Sequence, residues 1–279
     1  MQTIEDENLL GNYLKDRRAK LSPAAFGISS TRRRTPGLRR EEVAQRANVS
    51  ATWYTWLEQG RGGAPSADVL DRLARALSLN DAEREHLFLL AQHRPPEVRY
   101  ENSEPITPQL QRVLDSLEFS PALVRTALWD IVAWNDAAAI TLTDYAKLAP
   151  EQRNILKLLF GNSPARAHMI NWEKDARSAV AAFRSETARA GNTEKVQALV
   201  AEISRSSPEF AAIWRDYAVQ NYGEGLKHVR HATAGDLALE YSSFAVDGRP
   251  DLGLVIFTPA TDDDAGRLKA LIASRRLAG

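Results

Sequence analysis

The sequence predicts two domains of different class. The first is an all-α domain of five helices, and the second is an α+β domain with a five-stranded antiparallel sheet and a helical cover. Three observations lead there. Residues from Asn8 to Gln92 read as short helices divided by turn signals. A polar, proline-bearing run from His93 to Pro108 follows. Beyond about Tyr222 the apolar period changes from helical to two. The expected boundaries are 1–94, a linker at 95–108, and 109–279.

In the first domain, Asn8 to Arg18 sets Leu10, Tyr13 and Leu14 on one helix face. Leu21 to Gly37 holds prolines, glycines and three consecutive arginines and reads as a loop. Arg39 to Ala47 is helical, Asn48-Val49 turns, and Ser50 caps a third helix to about Glu58. Ser66 caps a fourth, with Val69, Leu70, Leu73, Ala74 and Leu77 at helical spacing, and Asp81 starts a fifth. In the second domain, Ala122 to Thr126 and Asp130 to Asn135 read as strands around a tight turn. A helix then runs to about Leu142, and residues from Glu151 to Tyr222 are helical with breaks at Gly161, Gly191 and Pro208. Leu226 to Thr233, Leu237 to Val246 and Leu252 to Thr258 are three strands, and Asp262 to Arg275 is a closing helix.

Composition narrows the function classes. The 279 residues include no cysteine, which excludes disulfides, thiolate metal sites and a cysteine nucleophile. The acidic start MQTIEDENLL has neither the basic head nor the apolar stretch of a signal peptide, and no apolar run has membrane-spanning length. A cytoplasmic protein without membrane insertion is expected. Formal net charge is zero, yet residues 8–61 carry eleven lysines and arginines against four acids, a net of +7. A basic end on a neutral chain points to a polyanion partner.

The segment from Arg40 to Gly60 gives that partner a mechanism. A helix-turn-helix needs a small residue where its helices meet, which Ala44 supplies. It also needs a turn residue that tolerates a left-handed backbone, which Asn48 does. Val43, Ala47, Val49, Tyr54 and Leu57 fall where side chains lock the two helices together. Ser50, Ala51, Thr52, Thr55 and Trp56 remain on the free face of the second helix, for a major groove of double-stranded DNA. Arg39, Arg40, Arg46 and Arg61 flank it, placed for phosphates.

From about Leu10 to Ala91 the chain resembles the lambda-repressor-like helix-turn-helix of the xenobiotic-response-element type. The phrases RRRTPGLRREEVA, NVS, WLEQGR, PSADVLDRLARAL and LNDAEREHLFLLA resemble its MmyB-like branch. SPALVRTALWDIVAWNDAAA, NILKLLF, SPEFAAIWRDY and LKHVRHATAGDLALEY extend the likeness through the C-terminal half. The resemblance implies a dimeric transcription regulator with a PAS-like ligand-sensing domain and a fatty acid or similar lipid as ligand. Where that family commonly has a basic residue this chain has Trp56, a departure that bears on its DNA contacts.

Other signals are weaker. His228 and His231 form an H-x-x-H, but positions three apart on a strand face opposite sides. Gly161-Asn162-Ser163-Pro164-Ala165 lacks the preceding strand and second glycine of a nucleophile elbow, and Ser163 reads as a helix cap. Neither a phosphate-binding G-x-x-x-x-G-K loop nor an H-E-x-x-H motif occurs, so no catalysis and no cofactor are expected.

The expected ligand is a small amphiphile, with a fatty acid bound between sheet and helices. Trp134, Phe183, Trp214, Tyr217, Leu239 and Tyr241 are the candidate lining. For a carboxylate head the candidates are Arg125, Arg184, Arg230 and His231, with Arg230 and His231 favoured. A homodimer would set two recognition helices on an inverted-repeat operator, with half-sites roughly 34 Å apart. Two alternatives stand beside this reading: a ligand-free dimerisation module, and a hydrolase-like enzyme domain.

Overall fold

The computed structural model describes residues 8–28, 37–96, 105–161, 164–189, 194–219 and 223–278. The chain divides into two units, Met1–Pro96 and Glu97–Gly279.

The first unit is helical throughout: α1 (Leu9–Lys20), α2 (Arg40–Arg46), α3 (Ala51–Glu58), α4 (Ala67–Ala76) and α5 (Asp81–Gln92), with a 3-10 turn at Pro23–Phe26. Each start but that of α2 carries a side-chain cap. Asn8, Ser50, Ser66 and Asn80 accept from Gly11, Trp53, Val69 and Glu83 backbone N–H groups, satisfying donors that a helix start leaves orphaned. At α2 the Glu42 carboxylate instead accepts from the Arg39 backbone N–H at 2.6 Å. Leu14, Val43, Tyr54, Leu70, Leu73 and Leu87 form a shared core, each contributing about 1.5–3 kcal/mol by leaving water. Gly11 is where α1 and α3 touch: a Cβ there would lie 2.3 Å from the Glu58 carbonyl oxygen.

The second unit is α+β. α6 (Pro108–Ser116) leads into β1 (Ala122–Thr126), β2 (Ile131–Trp134) and α7 (Asp136–Thr141). The helical segment is α8 (Ile155–Phe160), α9 (Pro164–Ala167), α10 (Trp172–Arg189), α11 (Glu194–Ser206) and α12 (Pro208–Trp214). β3 (Glu224–His231), β4 (Gly235–Val246), β5 (Arg249–Pro259) and α13 (Asp262–Ala278) complete it. The sheet order is β2-β1-β5-β4-β3, with every pairing antiparallel. β1, early in the unit, pairs with β5 near its end through Leu123↔Val255, which makes β1 a central strand buried along its length.

The two faces of the sheet belong to different cores. Leu123, Ile131, Val229, Leu239, Val255 and Phe257 pack with α7, α8 and α13, while Ala122, Val124, Ala133 and Leu252 pack with Leu114 of α6. A third core joins α8, α10, α11 and α12 around Trp129 and Phe183.

The sequence reading needs correction in three places. α6 is a helix that the sequence reading does not assign, although Leu110, Val113 and Leu114 fall at helical spacing; it begins at Pro108, the last residue of the expected linker. The middle helices also break at 168–171, where Met169 bridges Val229 on the edge of β3. Finally, the alternation along β5 sets Leu252, Leu254 and Ile256 on one face, expected to be the one toward the helices; they face α6 instead, and Val255 and Phe257 face the helical side. Both phases of that strand are apolar because both faces are covered, so alternation carried no directional information. Arg32, Arg33, Arg34 and the Ser163 cap lie outside the described residues.

Candidate functional site

In the first unit, α2 and α3 are joined by a tight turn. Asn48 takes φ 52° there, and the Val49 N–H donates to the Ala44 carbonyl at 2.9 Å. Val43, Ala44, Ala47, Tyr54 and Leu57 are all buried, which fixes the angle between the helices. Ser50, Thr52 and Trp56 are then exposed, Trp56 at 49%, and Ala51 and Thr55 are half-buried.

The polar atoms of this face are not equivalent. Ser50 Oγ accepts from the Trp53 N–H at 3.1 Å, capping α3, and Thr55 Oγ1 donates back to the Ala51 carbonyl at 2.8 Å. Among the described residues, nothing within the chain bonds the Thr52 hydroxyl or the Trp56 indole N–H. These two are the groups free to meet base edges.

The flanking arginines also differ. Arg39 and Arg61 are exposed. Arg46 is exposed but lies over the Phe26 ring, 4.1 Å from its centroid, and its Nε donates to the Ala76 carbonyl at 3.3 Å. Arg40 donates from Nε to Glu58 Oε2 at 2.6 Å. Glu58 is fully buried, and Arg18, also buried, donates to its Oε1 at 2.7 Å. Part of the basic character counted along the sequence is therefore spent inside the fold, on a carboxylate that a basic tally treats as a surface charge.

In the second unit a cavity lies between the sheet and α8. Its sheet wall is Leu123, Ile131, Lys227, Val229, Val255 and Phe257. Ile155, Leu158 and Leu159 line it from α8, and Leu142, Thr143, Tyr145, His168 and Met169 complete the lining. Its empty volume of about 610 Å³ includes open solvent.

None of the eight ligand residues expected from the sequence lines this cavity. Phe183 and Trp214 sit in the filled helical core, where Phe183 meets Trp129 edge-on at 5.5 Å and Trp214 stacks on Phe210 at 5.8 Å. Tyr217 is 81% exposed, just past α12. Leu239 is buried against α13, and Tyr241 and Trp134 lie one shell out, against Phe257 and Tyr145. Aromatic composition does not distinguish a wall from a core, and here most of these side chains close on each other.

The expected head-group cations are engaged elsewhere. Arg125 forms a bidentate pair with Glu186 at 2.9 and 2.8 Å, and Trp129 Nε1 donates to the same carboxylate at 2.9 Å. Arg184 donates to the carbonyls of Trp214 and Ala218 beyond α12. Arg230 is exposed and pairs with Asp236 at 2.9 Å. The His231 ring lies 3.2 Å from the Ile140 carbonyl, and burial holds its pKa below the usual value.

The cation at the cavity is Lys227. It shares the inward phase of β3 with Val229, whereas Leu226 is exposed. Starting the strand at Leu226 hid that phase; taking Val229 as the buried position would have shown it. Among the described residues, no hydrogen bond or ion pair closes on the Lys227 ammonium. Burial pushes its pKa down, and the attraction of Asp175 on α10 opposes the shift. Burial pushes the Asp175 carboxyl up, opposed chiefly by Lys227. Its Oδ2 is buried without a hydrogen bond.

Among the described residues no three metal-ligating side chains come together, and no helix is long and apolar enough to cross a membrane.

Comparison with known proteins gives two matching family models. Residues 9–87 match a helix-turn-helix domain. Residues 106–271 match the MmyB-like transcription regulator ligand binding domain. No curated protein matches the chain. A solved structure described as an RNA-binding light-oxygen-voltage receptor aligns over 94% of this chain at 12% identity and a TM-score of 0.22. The chain spans 64% of that protein's length.

Proposed function

The chain belongs to the family of MmyB-like transcription regulators, with a DNA-binding helix-turn-helix and a C-terminal ligand-binding domain. From that premise we propose a cytoplasmic homodimer that reads an inverted-repeat operator and whose PAS-like C-terminal unit senses a fatty acid or similar amphiphile. The observation that carries the DNA half is the exposed face of α3, with Thr52 and Trp56 held outward by the buried Tyr54 and Leu57. Phosphate contacts fall to Arg39, Arg46 and Arg61, and base reading to Thr52 and Trp56.

Trp56 stands where a cation would serve the backbone. It offers an apolar ring and one N–H donor, which suits a thymine methyl or a sugar edge better than a phosphate. The ligand half rests on the cavity between sheet and α8, whose lining is mostly apolar, with Thr143, Tyr145, His168 and Lys227 as its polar side chains.

Repeated selection of random duplexes by the full chain tests the proposal. Enrichment of a two-fold symmetric site is the expected result. A pool that stays random after selection contradicts it.

A further inference from the structure

Lys227 is an anomaly in its surroundings. The residues that line the cavity with it are mostly apolar, Val229, Val255, Phe257, Leu158 and Leu159 among them, and Thr143, Tyr145 and His168 are polar. Half-buried there, a lysine gives up part of its hydration, and among the described residues no ion pair closes on it. Leucine or methionine would fill the same strand position without that cost. The charged or ionisable groups around it are Asp175 on α10, which attracts it at longer range, and His168 in the cavity lining. Asp175 is half-buried, and its Oδ2 is buried without a hydrogen bond.

The geometry points to Lys227 as the anchor for the anionic head of an apolar-chain ligand in this cavity, with Asp175 as its distant counter-charge when the cavity is empty. This rests on the amphiphile reading given above, and it names the polarity of the ligand and the residue that reads it. The chain of such a ligand lies along Leu123, Val255 and Phe257 of the sheet and Leu158 of α8. Its head reaches the β3 edge, where Met169 and His168 close over the strand through the Arg230 N–H to His168 carbonyl bond at 2.7 Å. The other basic side chains considered for this task, Arg125, Arg184 and Arg230, already have partners. Among the described residues, Lys227 brings a cation without a hydrogen bond or ion pair to a largely apolar cavity.

Calorimetric titration of the delipidated full chain with decanoic acid, 1-decanol and decylamine, each below its micellar concentration, tests the assignment. Wild type should bind the acid at least about tenfold more tightly than the alcohol, as a charge-assisted bond in a dehydrated site requires. Lys227→Met should lose that preference while keeping wild-type affinity for the alcohol, which shows an intact cavity. Lys227→Arg should recover part of it. Undiminished acid binding by Lys227→Met overturns the anchor, as does a wild-type preference for the amine. Equal binding of acid and alcohol by wild type also overturns the anchor but leaves the amphiphile reading standing. Binding of neither overturns both.

Discussion

Arg18 and Glu58 meet inside the first unit, the arginine Nε donating to the carboxylate at 2.7 Å and Nη2 at 3.3 Å. The pair links α1 to the end of α3, and a third hydrogen bond runs from Arg18 Nη1 to the Leu38 carbonyl at 2.7 Å. Arg40 adds α2 to the same carboxylate. The angle at which the recognition helix is presented thus depends on a buried charge cluster as well as on apolar packing.

Glu58→Ala should therefore unfold the first unit readily. Removing one partner strands two arginines near a dehydrated site, a loss of about 3–5 kcal/mol. Glu58→Gln should lose less, since it still accepts a hydrogen bond. Urea denaturation followed by tryptophan fluorescence, with Trp53 and Trp56 on α3, reads the difference; a Glu58→Ala midpoint equal to wild type would remove the cluster's structural role.

The four flanking arginines should separate in DNA binding. Arg61→Ala should weaken binding to all sequences and lower the log–log salt slope by about 0.9. Arg40→Ala should lower the thermal midpoint as well, because its Nε serves Glu58. Thr52→Ala should relax base preference with little change in slope. Anisotropy titrations over a salt series, paired with melting curves, distinguish these. Equal behaviour of Arg40 and Arg61 in both assays would contradict the structural division between them.

Asn135 should be the most sensitive polar residue of the second unit. Its Oδ1 accepts from Ala122 and Ala138 N–H at 3.0 and 2.9 Å, and its Nδ2 donates to the carbonyls of Leu114, Leu117 and Ser120. One amide thus ties α6, β1 and α7 together. Asn135→Ala leaves several buried groups unpaired at about 1–3 kcal/mol each. Asn135→Asp, which loses the donors, should be nearly as damaging. A chemical denaturation midpoint within error of wild type would contradict this.

Lys227 and Asp175 give the ligand-free protein a pH signature. The folded pKa of Lys227 lies below its unfolded value, so between the two the unfolded chain holds a proton that the folded chain has released. Stability therefore rises with pH toward the ordinary lysine value of about 10.4. Asp175 has the opposite sign: its folded pKa is raised, and stability falls as pH climbs from its unfolded toward its folded value. The double variant Lys227→Met/Asp175→Asn should flatten both slopes and be at least as stable as wild type near neutrality. Persistence of both slopes in the variant would place their origin elsewhere.

The sequence was most legible where a residue has one physical reason to be there. Asn48 at positive φ, the caps Ser50 and Ser66, and the five locking side chains of the helix-turn-helix all follow from local rules. The five strands were readable from period and turn signals. Tertiary pairing was not: nothing local shows that Arg125 meets Glu186, 61 residues away, or that Arg18 meets Glu58. The cavity was missed for a related reason. Apolar side chains of the helices could face a void or one another, and only the packing of α10 to α12 assigns Phe183 and Trp214 to a filled core. Lys227 was hidden by the phase of an edge strand whose first apolar residue, Leu226, points outward.

The central claim is that α3 presents a sequence-reading face to duplex DNA. Anisotropy of the full chain on its selected duplex and on a scrambled duplex, across a salt series, tests it most directly. The expected result is specific binding about 10³-fold or more tighter than non-specific, with both affinities falling steeply as salt rises. Equal, salt-insensitive affinities for the two duplexes, or no binding at low salt, would contradict it.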